Sequence, residues 1–424
     1  MIAAVLLGMA ALGSDSLPRV TLSEAIHRAT RLSPNYVAAV AQLSTAEWAR
    51  KAAFTTFISP SLSVATDMTA FSVEQFNIGI GRPARTTVNA RVEARYELFT
   101  GGRKTADYRR LGAELEMARA GEQQQLFLTA LGTERDYYAV LSGRELLDVA
   151  RQRLARAQEQ LVIARARVVS GAVVQTDSLQ ILLEVNRAQV ALLREEAQLA
   201  VSRLQLGRRI GQRGAVDAAP LDSTLPSELP ITVPAALALA LEQGPEYRMA
   251  RGNERATQAL VKARNAAYLP QANLVGSYTK FGDAFPPTGI DRGSISLQIS
   301  LPIWDNLNRE TAVRRARAAN DIARAVREDL ERAAEADITE AYEAHRTARA
   351  ASRFAEQGVR VAEENYRVQQ ARYRAGASTI LDLLDAQSQL TEAQAELVQS
   401  RYATRLAQAG LEVLIGRRFT EIGD

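Results

Sequence analysis

Cysteine is absent from the 424 residues, and histidine occurs only at His27 and His345. The first absence removes disulfides, thiolate metal sites, iron–sulfur clusters and thiol nucleophiles. The second leaves no material for catalytic triads or His-rich metal centres. Phosphate-loop and dinucleotide fingerprints are missing as well, so no constellation for an enzyme stands out, and neither a cofactor nor a metal is expected. Lysine is confined to Lys51, Lys104, Lys262 and Lys280, which makes 48 of the 52 basic residues arginine. These are dispersed among 48 acidic residues, giving a net charge of +4 and the pattern of solvated helix faces rather than a nucleic-acid-binding block. Proline is missing from two long stretches, Pro83 to Pro220 and everything after Pro302, which permits very long helices.

The amino terminus, Met1–Gly13, is apolar and rich in small residues, with Ala11 and Gly13 spaced like the −3 and −1 positions of a cleavage site. Residues 1–20 read as a signal segment; the usual basic residues ahead of the apolar run are missing, so a misplaced start, the loss of the first few residues and a plain apolar tail stay open as alternatives. No other stretch reaches the ~18 uninterrupted apolar residues of a spanning helix.

What the chain does contain is a duplication. Thr21–Ile26 recurs as Thr232–Leu237, and Ser33-Pro34-Asn35-Tyr36 as Gly244-Pro245-Glu246-Tyr247, at offset 211. Further on, Gly171-Ala172 aligns with Gly376-Ala377, Asp177 with Asp382 and Gly211 with Gly416, at offset 205. The period is too long for a solenoid unit and marks two homologous halves, repeat 1 over 21–215 and repeat 2 over 232–418, joined by a linker at 216–231. Each half opens with a short helical segment broken early by Pro. Two strands follow, about 60–70 and 87–99 in repeat 1 and about 271–281 and 293–304 in repeat 2. A long helical hairpin closes each half, over 103–212 and 309–416.

The strands alternate cleanly. From Val88 to Leu98 every even position is apolar and every odd one polar, and Ser294–Leu301 repeats this with opposite parity. Such a sheet has one greasy and one wet face, packed on a core in a soluble protein or set between lipid and lumen in a barrel. Phe71, Phe76, Tyr96, Phe99, Tyr278, Phe281, Phe285 and Trp304 cluster near the strand ends, which suits either an aromatic girdle or an aromatic core. In the long runs, Leu147, Leu154, Leu161 and Val168 lie seven apart with Ala150, Ala157 and Ala164 between them. Val359, Ala362, Tyr366 and Tyr373 occupy matching positions in the second half. A 68-residue helix from Arg103 to Ser170 would reach ~100 Å at 1.5 Å per residue. Four strands cannot close a barrel, and the eight of two chains would leave its interior nearly filled. The twelve of three chains would leave an aqueous lumen. A long-helix trimer of this kind is a conduit. A periplasmic adaptor or another coiled-coil scaffold is the alternative, although it would need a lipoyl-like β domain.

At this point the chain resembles the TolC-like outer membrane efflux proteins. The resemblance spans about Thr21 to Gly416 and is carried by Leu269-Pro-Gln-Ala272, Leu301-Pro-Ile-Trp-Asp305, Phe99-Thr-Gly-Gly-Arg103 and, most specifically, the run Tyr373–Gln387. It implies a mainly α fold with a small β part: a long α-helical hairpin barrel plus a trimer-shared 12-stranded transmembrane β-barrel, four strands per protomer. It also implies location in the outer membrane, in contact with lipid and extending into the periplasm. The expected partners are two further copies of the chain, a periplasmic adaptor and an inner membrane transporter. By the same resemblance, Asp382 and Asp385 fall where such channels place carboxylate rings at a periplasmic constriction, although solvent-facing carboxylates near a helix N-terminus look the same. Tyr373 and Asp177 match positions that hold the closed tip. Ser378 stands where those channels carry Arg, so either the latch is weaker or Arg372 or Arg374 substitutes. The hairpin tips Gly171-Ala172-Val173 and Gly376-Ala377-Ser378 fall where the adaptor would dock, and their glycines also suit plain helix turns.

Overall fold

The computed structural model describes residues 17–170, 174–221 and 228–419. Fourteen elements follow in chain order: β1 Arg19–Val20, α1 Leu22–Leu32, α2 Pro34–Ile58, β2 Ser61–Asn77, β3 Arg82–Phe99, α3 Arg103–Val169, α4 Gln175–Arg209, β4 Asp217–Ala218, α5 Val233–Gln243, α6 Pro245–Asn265, β5 Gln271–Gly282, β6 Asp291–Ser300, α7 Asn308–Arg374 and α8 Ile380–Ile415. The fold is mainly helical, and α3 and α7 have 67 residues each. The chain divides into two compact units, one of residues 39–122 and 246–332, the other of 1–38, 123–245 and 333–424.

The first unit holds the sheet, antiparallel in the order β2-β3-β5-β6. Its register aligns Leu62, Ala94, Gly276 and Ile295 in one row, with Val64, Val92 and Tyr278 in the next. The alternate rows read Ser63, Glu93, Ser277, Ser294 and Ala65, Arg91, Thr279, Arg292. Because side chains alternate across a strand, this register gathers the aliphatic residues on one face and the charged and hydroxyl residues on the other. The apolar face lies bare: Val64 is 73% exposed and Ile295 82%. Both outer strands, β2 and β6, have a free edge.

Strands β2 and β3 run past the clean alternation because a register shift between Ala70 and Gln75 absorbs the irregular stretch. Strand β6 stops at Ser300, short of the sequence expectation of 304, since Pro302 has no N–H to continue a ladder. Where strand passes to helix, the two repeats build the same turn at offset 205. Gly101 and Gly102 adopt φ of +60° and +88°, and their counterparts Asn306 and Leu307 adopt +56° and +64°. A Cβ at Gly101 would come within 2.6 Å of the Ala266 carbonyl, so glycine is required there. Lys104 and its counterpart Arg309 staple the two turns. Lys104 Nζ donates to the Thr56 and Glu97 carbonyls at 2.7 Å and lies 4.8 Å from the Tyr96 ring centroid. Arg309 donates to the Pro302 and Ile303 carbonyls at 2.8 and 3.1 Å and covers the Tyr268 ring.

The second unit is a helical assembly with two cores. One gathers Tyr137, Val140, Leu141, Leu199, Leu206 and Ile210 with Val20, Val216 and Ala218. Strands β1 and β4 pair in parallel there, so residues 216–218, which the sequence suggests as linker, are buried structure. Asp217 explains why: it is held by Arg203 at 3.2 Å and Arg144 at 3.6 Å and accepts from the Ala218 N–H. Of the expected signal segment, Arg19–Val20 form β1 and residues 1–16 lie outside the described residues. The other core joins α3, α4, α7 and α8 through the heptad residues: Ala157, Leu161, Ala164, Ala362, Tyr366 and Tyr373 are all buried. The seam continues along α7, two and three heptads before Tyr366, as buried Ser352 and His345.

Two expectations follow. Leu307, 54% exposed, occupies the left-handed region at a cost of about 1–2 kcal/mol. Leu307→Gly should therefore leave the protein as stable or stabilise it by up to about 1 kcal/mol in thermal melting. Burial, reinforced by the charge of Glu412 and opposed by Arg418, pushes Glu134 up to about 7 from 4.5. A carboxyl raised on folding contributes stability in full below pH 4.5 and loses it as pH rises through 7. Glu134→Gln should abolish that decline and exceed the wild type at pH 8 by about 1–3 kcal/mol, read from melting curves across pH.

Candidate functional site at the helical tip

The ends of the two hairpins lie in the second unit. In the repeat 2 hairpin the chain leaves α7 through Gly376, whose φ of +77° lets the Ala377 N–H reach the Arg372 carbonyl at 2.8 Å. It enters α8 through Thr379. The Thr379 Oγ1 accepts from the Asp382 N–H at 3.3 Å, and Asp382 Oδ2 accepts from the Thr379 N–H and hydroxyl at 2.9 and 2.8 Å. This reciprocal capping box holds the Asp382 carboxyl below the usual carboxylate range, with Arg372 adding to the effect. Asp385 follows one turn on. It is exposed, and its carboxylate accepts from Gln389 Nε2 at 2.8 Å. At a spacing of three, Asp382 and Asp385 share one exposed face of α8.

The repeat 1 hairpin differs at the capping position. Val174 replaces the capping threonine at offset 205, and α4 starts with no side-chain cap. Asp177, the counterpart of Asp382, is therefore not tied to its own N-cap. It is half-buried, and its charge acts on Tyr373 of the other hairpin: burial first and Asp177 second push the Tyr373 hydroxyl above its ordinary value. Asp177 and Tyr373 are thus brought together, while Asp382 and Asp385 face outward. Gly171, Ala172 and Val173 lie outside the described residues. Gly376 and Ala377 are exposed, and Ser378 is half-buried.

Tyr373 itself is 3% exposed, packed with Leu161, Ile181 and Leu383. Its main partner is a residue that sequence reading passed over. Arg167, near the end of α3, donates to the Tyr373 carbonyl and lays its guanidinium 4.9 Å from the ring centroid. Both candidate substitutes for the missing Arg at 378 are engaged elsewhere: Arg372 donates to the Ala377 carbonyl at 3.3 Å, and Arg374 pairs with Glu159 at 3.1 Å. The repeat offset contains the overlooked signal, because Arg167 is the counterpart of Arg372. Two glutamines line the same seam. Gln160 donates to the Tyr366 hydroxyl at 2.8 Å, and Gln387 is buried.

Among the described residues no cluster of three or more His, Cys, Asp or Glu is placed to hold a metal ion, and no helix is long and apolar enough to cross a membrane. An exposed apolar sheet and long paired hairpins define the class of outer membrane channel proteins. The sequence model described as outer membrane efflux protein matches residues 25–212 and, separately, 236–417. The chain belongs to that family, and it is not an enzyme. The pyoverdine export outer membrane protein OpmQ of Pseudomonas putida is 27% identical over 81% of this chain and 73% of its own length. The alkaline protease secretion protein AprF of Pseudomonas aeruginosa is 24% identical over 76% and 67% respectively. Among solved structures, the outer membrane protein VceC of Vibrio cholerae superposes with a TM-score of 0.80 at 20% identity, covering 94% of this chain and 96% of its own. The open-state MtrE outer membrane channel of Neisseria gonorrhoeae gives 0.77 at 18% identity, covering 93% and 89%. An adaptor or scaffold without a channel finds no support among these relatives.

The contacts of Arg167 set an expectation for the tip. Arg167→Ala removes a charge-assisted hydrogen bond and a ring contact, together worth about 1–2 kcal/mol. Local opening, measured by limited proteolysis between Arg372 and Thr379, should become on the order of tenfold faster, whereas Glu159→Ala, which frees only the exposed Arg374, should leave it nearly unchanged.

Proposed function

We propose that three copies of this chain form the outer membrane conduit of a tripartite efflux or secretion assembly, closed at the periplasmic helix tips. The observation that carries this reading is the four-stranded sheet with a bare aliphatic face and two free edges. Twelve strands from three copies would satisfy the edges, set the aliphatic rows against lipid and turn the rows of Arg91, Glu93, Ser277 and Ser294 toward a wet lumen. A periplasmic adaptor would dock at the hairpin tips, at Gly171–Val173 and Gly376–Ser378, and couple the conduit to an inner membrane transporter. The family alone does not fix the cargo, since relatives of similar identity are named for pyoverdine export and for alkaline protease secretion.

In this reading Asp382 and Asp385 of three protomers form two carboxylate rings at the periplasmic aperture. Both side chains are exposed on a single chain, and the capping box keeps Asp382 ionised far below neutral pH. Six carboxylates around a narrow axis would concentrate cations and retard anions. Asp177, Tyr373 and Arg167 would hold the tip shut from behind, by contacts between the two hairpins of one protomer.

Two measurements test the proposal. On unheated gels, outer membrane extracts should show the chain as a heat-dissociable trimer, and a soluble monomer would refute the conduit. In planar bilayers, Asp382→Asn with Asp385→Asn should lower cation over anion selectivity several-fold and relieve divalent-cation block, and unchanged selectivity would remove these residues from the gate.

A further inference from the structure

The topology of the first unit brings one more feature together. The end of α2, the start of α3, the end of α6 and the start of α7 all meet the same end of the sheet, while both strand-to-strand loops lie at the other. Within about three helical turns of that end, Arg109 on α3, Lys262 and Arg264 on α6, and Arg314, Arg315 and Arg317 on α7 are all exposed. None of the six side chains has a hydrogen bond or ion pair to another described residue. Arginines farther along α7 in this unit are paired: Arg324 with Glu328 at 2.9 Å and Arg327 with Glu254 at 2.6 Å. For the α7 arginines near the sheet, the acids that helical spacing offers are not used. Glu310, four residues before Arg314, accepts instead from the Tyr268 hydroxyl at 3.2 Å, and Asp321, four residues after Arg317, makes no pair. The six therefore stand as a collar of unpaired cations beside the paired Arg103, Arg110 and Arg309, which meet Glu97, Asp107, Glu114 and Asp305 at the same end of the sheet.

Between collar and sheet, the junction exposes large apolar groups: Ile58 at 67%, Ile303 at 87% and Trp304 at 71%. Along the chain the surface thus passes from bare aliphatic strands through an aromatic and aliphatic margin to unpaired cations. A membrane leaflet has the same order, with acyl chains, an interfacial zone and phosphates. The geometry points to this collar as a docking surface for anionic phospholipid headgroups of the leaflet on the helix side. Guanidinium and ammonium groups of Arg314, Arg315, Arg317, Arg109, Lys262 and Arg264 donate to phosphate oxygens while the acyl chains lie on the sheet. The assignment rests on the reading of the sheet as membrane-embedded. It adds to that reading a preference for lipid charge that an apolar band alone would not have.

The chain supplies its own reporter, because its two tryptophans, Trp48 and Trp304, lie on α2 and just before α7 and are 68% and 71% exposed. The full-length protein in non-ionic detergent micelles is titrated with phosphatidylglycerol or phosphatidylcholine carrying brominated acyl chains, and tryptophan quenching is followed. Half-maximal quenching is expected at about tenfold lower mole fraction of the anionic lipid at low salt, with the preference fading at 0.5 M salt, a value at which the Debye length falls to roughly 4 Å. The R314Q/R315Q/R317Q variant should lose most of that preference, and R314K/R315K/R317K should keep it. Equal quenching by both lipids would overturn the collar and leave the membrane sheet standing. Quenching by neither lipid would overturn both. Displacement of the anionic lipid by millimolar inorganic phosphate at constant ionic strength would also overturn the proposal, marking a free-phosphate site instead.

Discussion

Hydrogen bonds that the sheet cannot make for itself set the terms for the rest of the molecule. Strands β2 and β6 each present a row of unpaired backbone N–H and C=O groups. In hydrocarbon every such group costs several kcal/mol, and in water a free edge invites uncontrolled pairing. The register makes the problem two-sided, because Val64 and Ile295 leave the same face that a soluble protein would cover with a core. In the proposed conduit, closure against other copies would satisfy the edges, and lipid would satisfy the face. A duplicated chain suits this arrangement, because each half contributes one hairpin and one pair of long helices, and all helix connections leave the sheet at a single end.

Duplication also explains how the halves came to divide their work. The two strand-to-helix turns have the same backbone, but repeat 1 fills the left-handed positions with Gly101 and Gly102 and repeat 2 with Asn306 and Leu307. The staples are chemically parallel, Lys104 in one and Arg309 in the other. At the tips the divergence has greater consequences. Thr379 ties Asp382 into a capping box, whereas Val174 leaves Asp177 free to act on Tyr373. One aspartate is thereby held at the helix start on an exposed face, and its counterpart is left uncapped and half-buried, its charge acting on Tyr373. Arg167 and Arg372 diverge likewise, the first serving the other hairpin and the second its own turn.

Periodicity and repetition made much of this legible in the amino-acid sequence. Alternation in Val88–Leu98 identified the two faces of the sheet, and the heptads through Leu161 and Tyr366 identified the buried seam. What stayed hidden was what periodicity does not encode. The register shift after Ala70 interrupts alternation without ending the strand, and burial of residues 216–218 depends on Arg144 and Arg203, distant in sequence from anything resembling a linker signal. The contact between Arg167 and Tyr373 is hidden for a related reason. A family pattern directs attention to position 378, whereas the cation that meets Tyr373 comes from the other hairpin, more than two hundred residues away.

The claim on which the account depends is that β2 of one copy pairs with β6 of the next and that the ring closes at three. A chain without cysteine allows this to be tested without background. Ser63→Cys on β2 with Ser294→Cys on β6, at one level of the sheet by register, joined by a short bifunctional thiol reagent in outer membranes, should give covalent dimers and trimers and no larger species. Either single-cysteine chain should give none of this ladder. A ladder extending beyond three copies, or a doubly substituted chain that remains monomeric, would contradict the closed barrel.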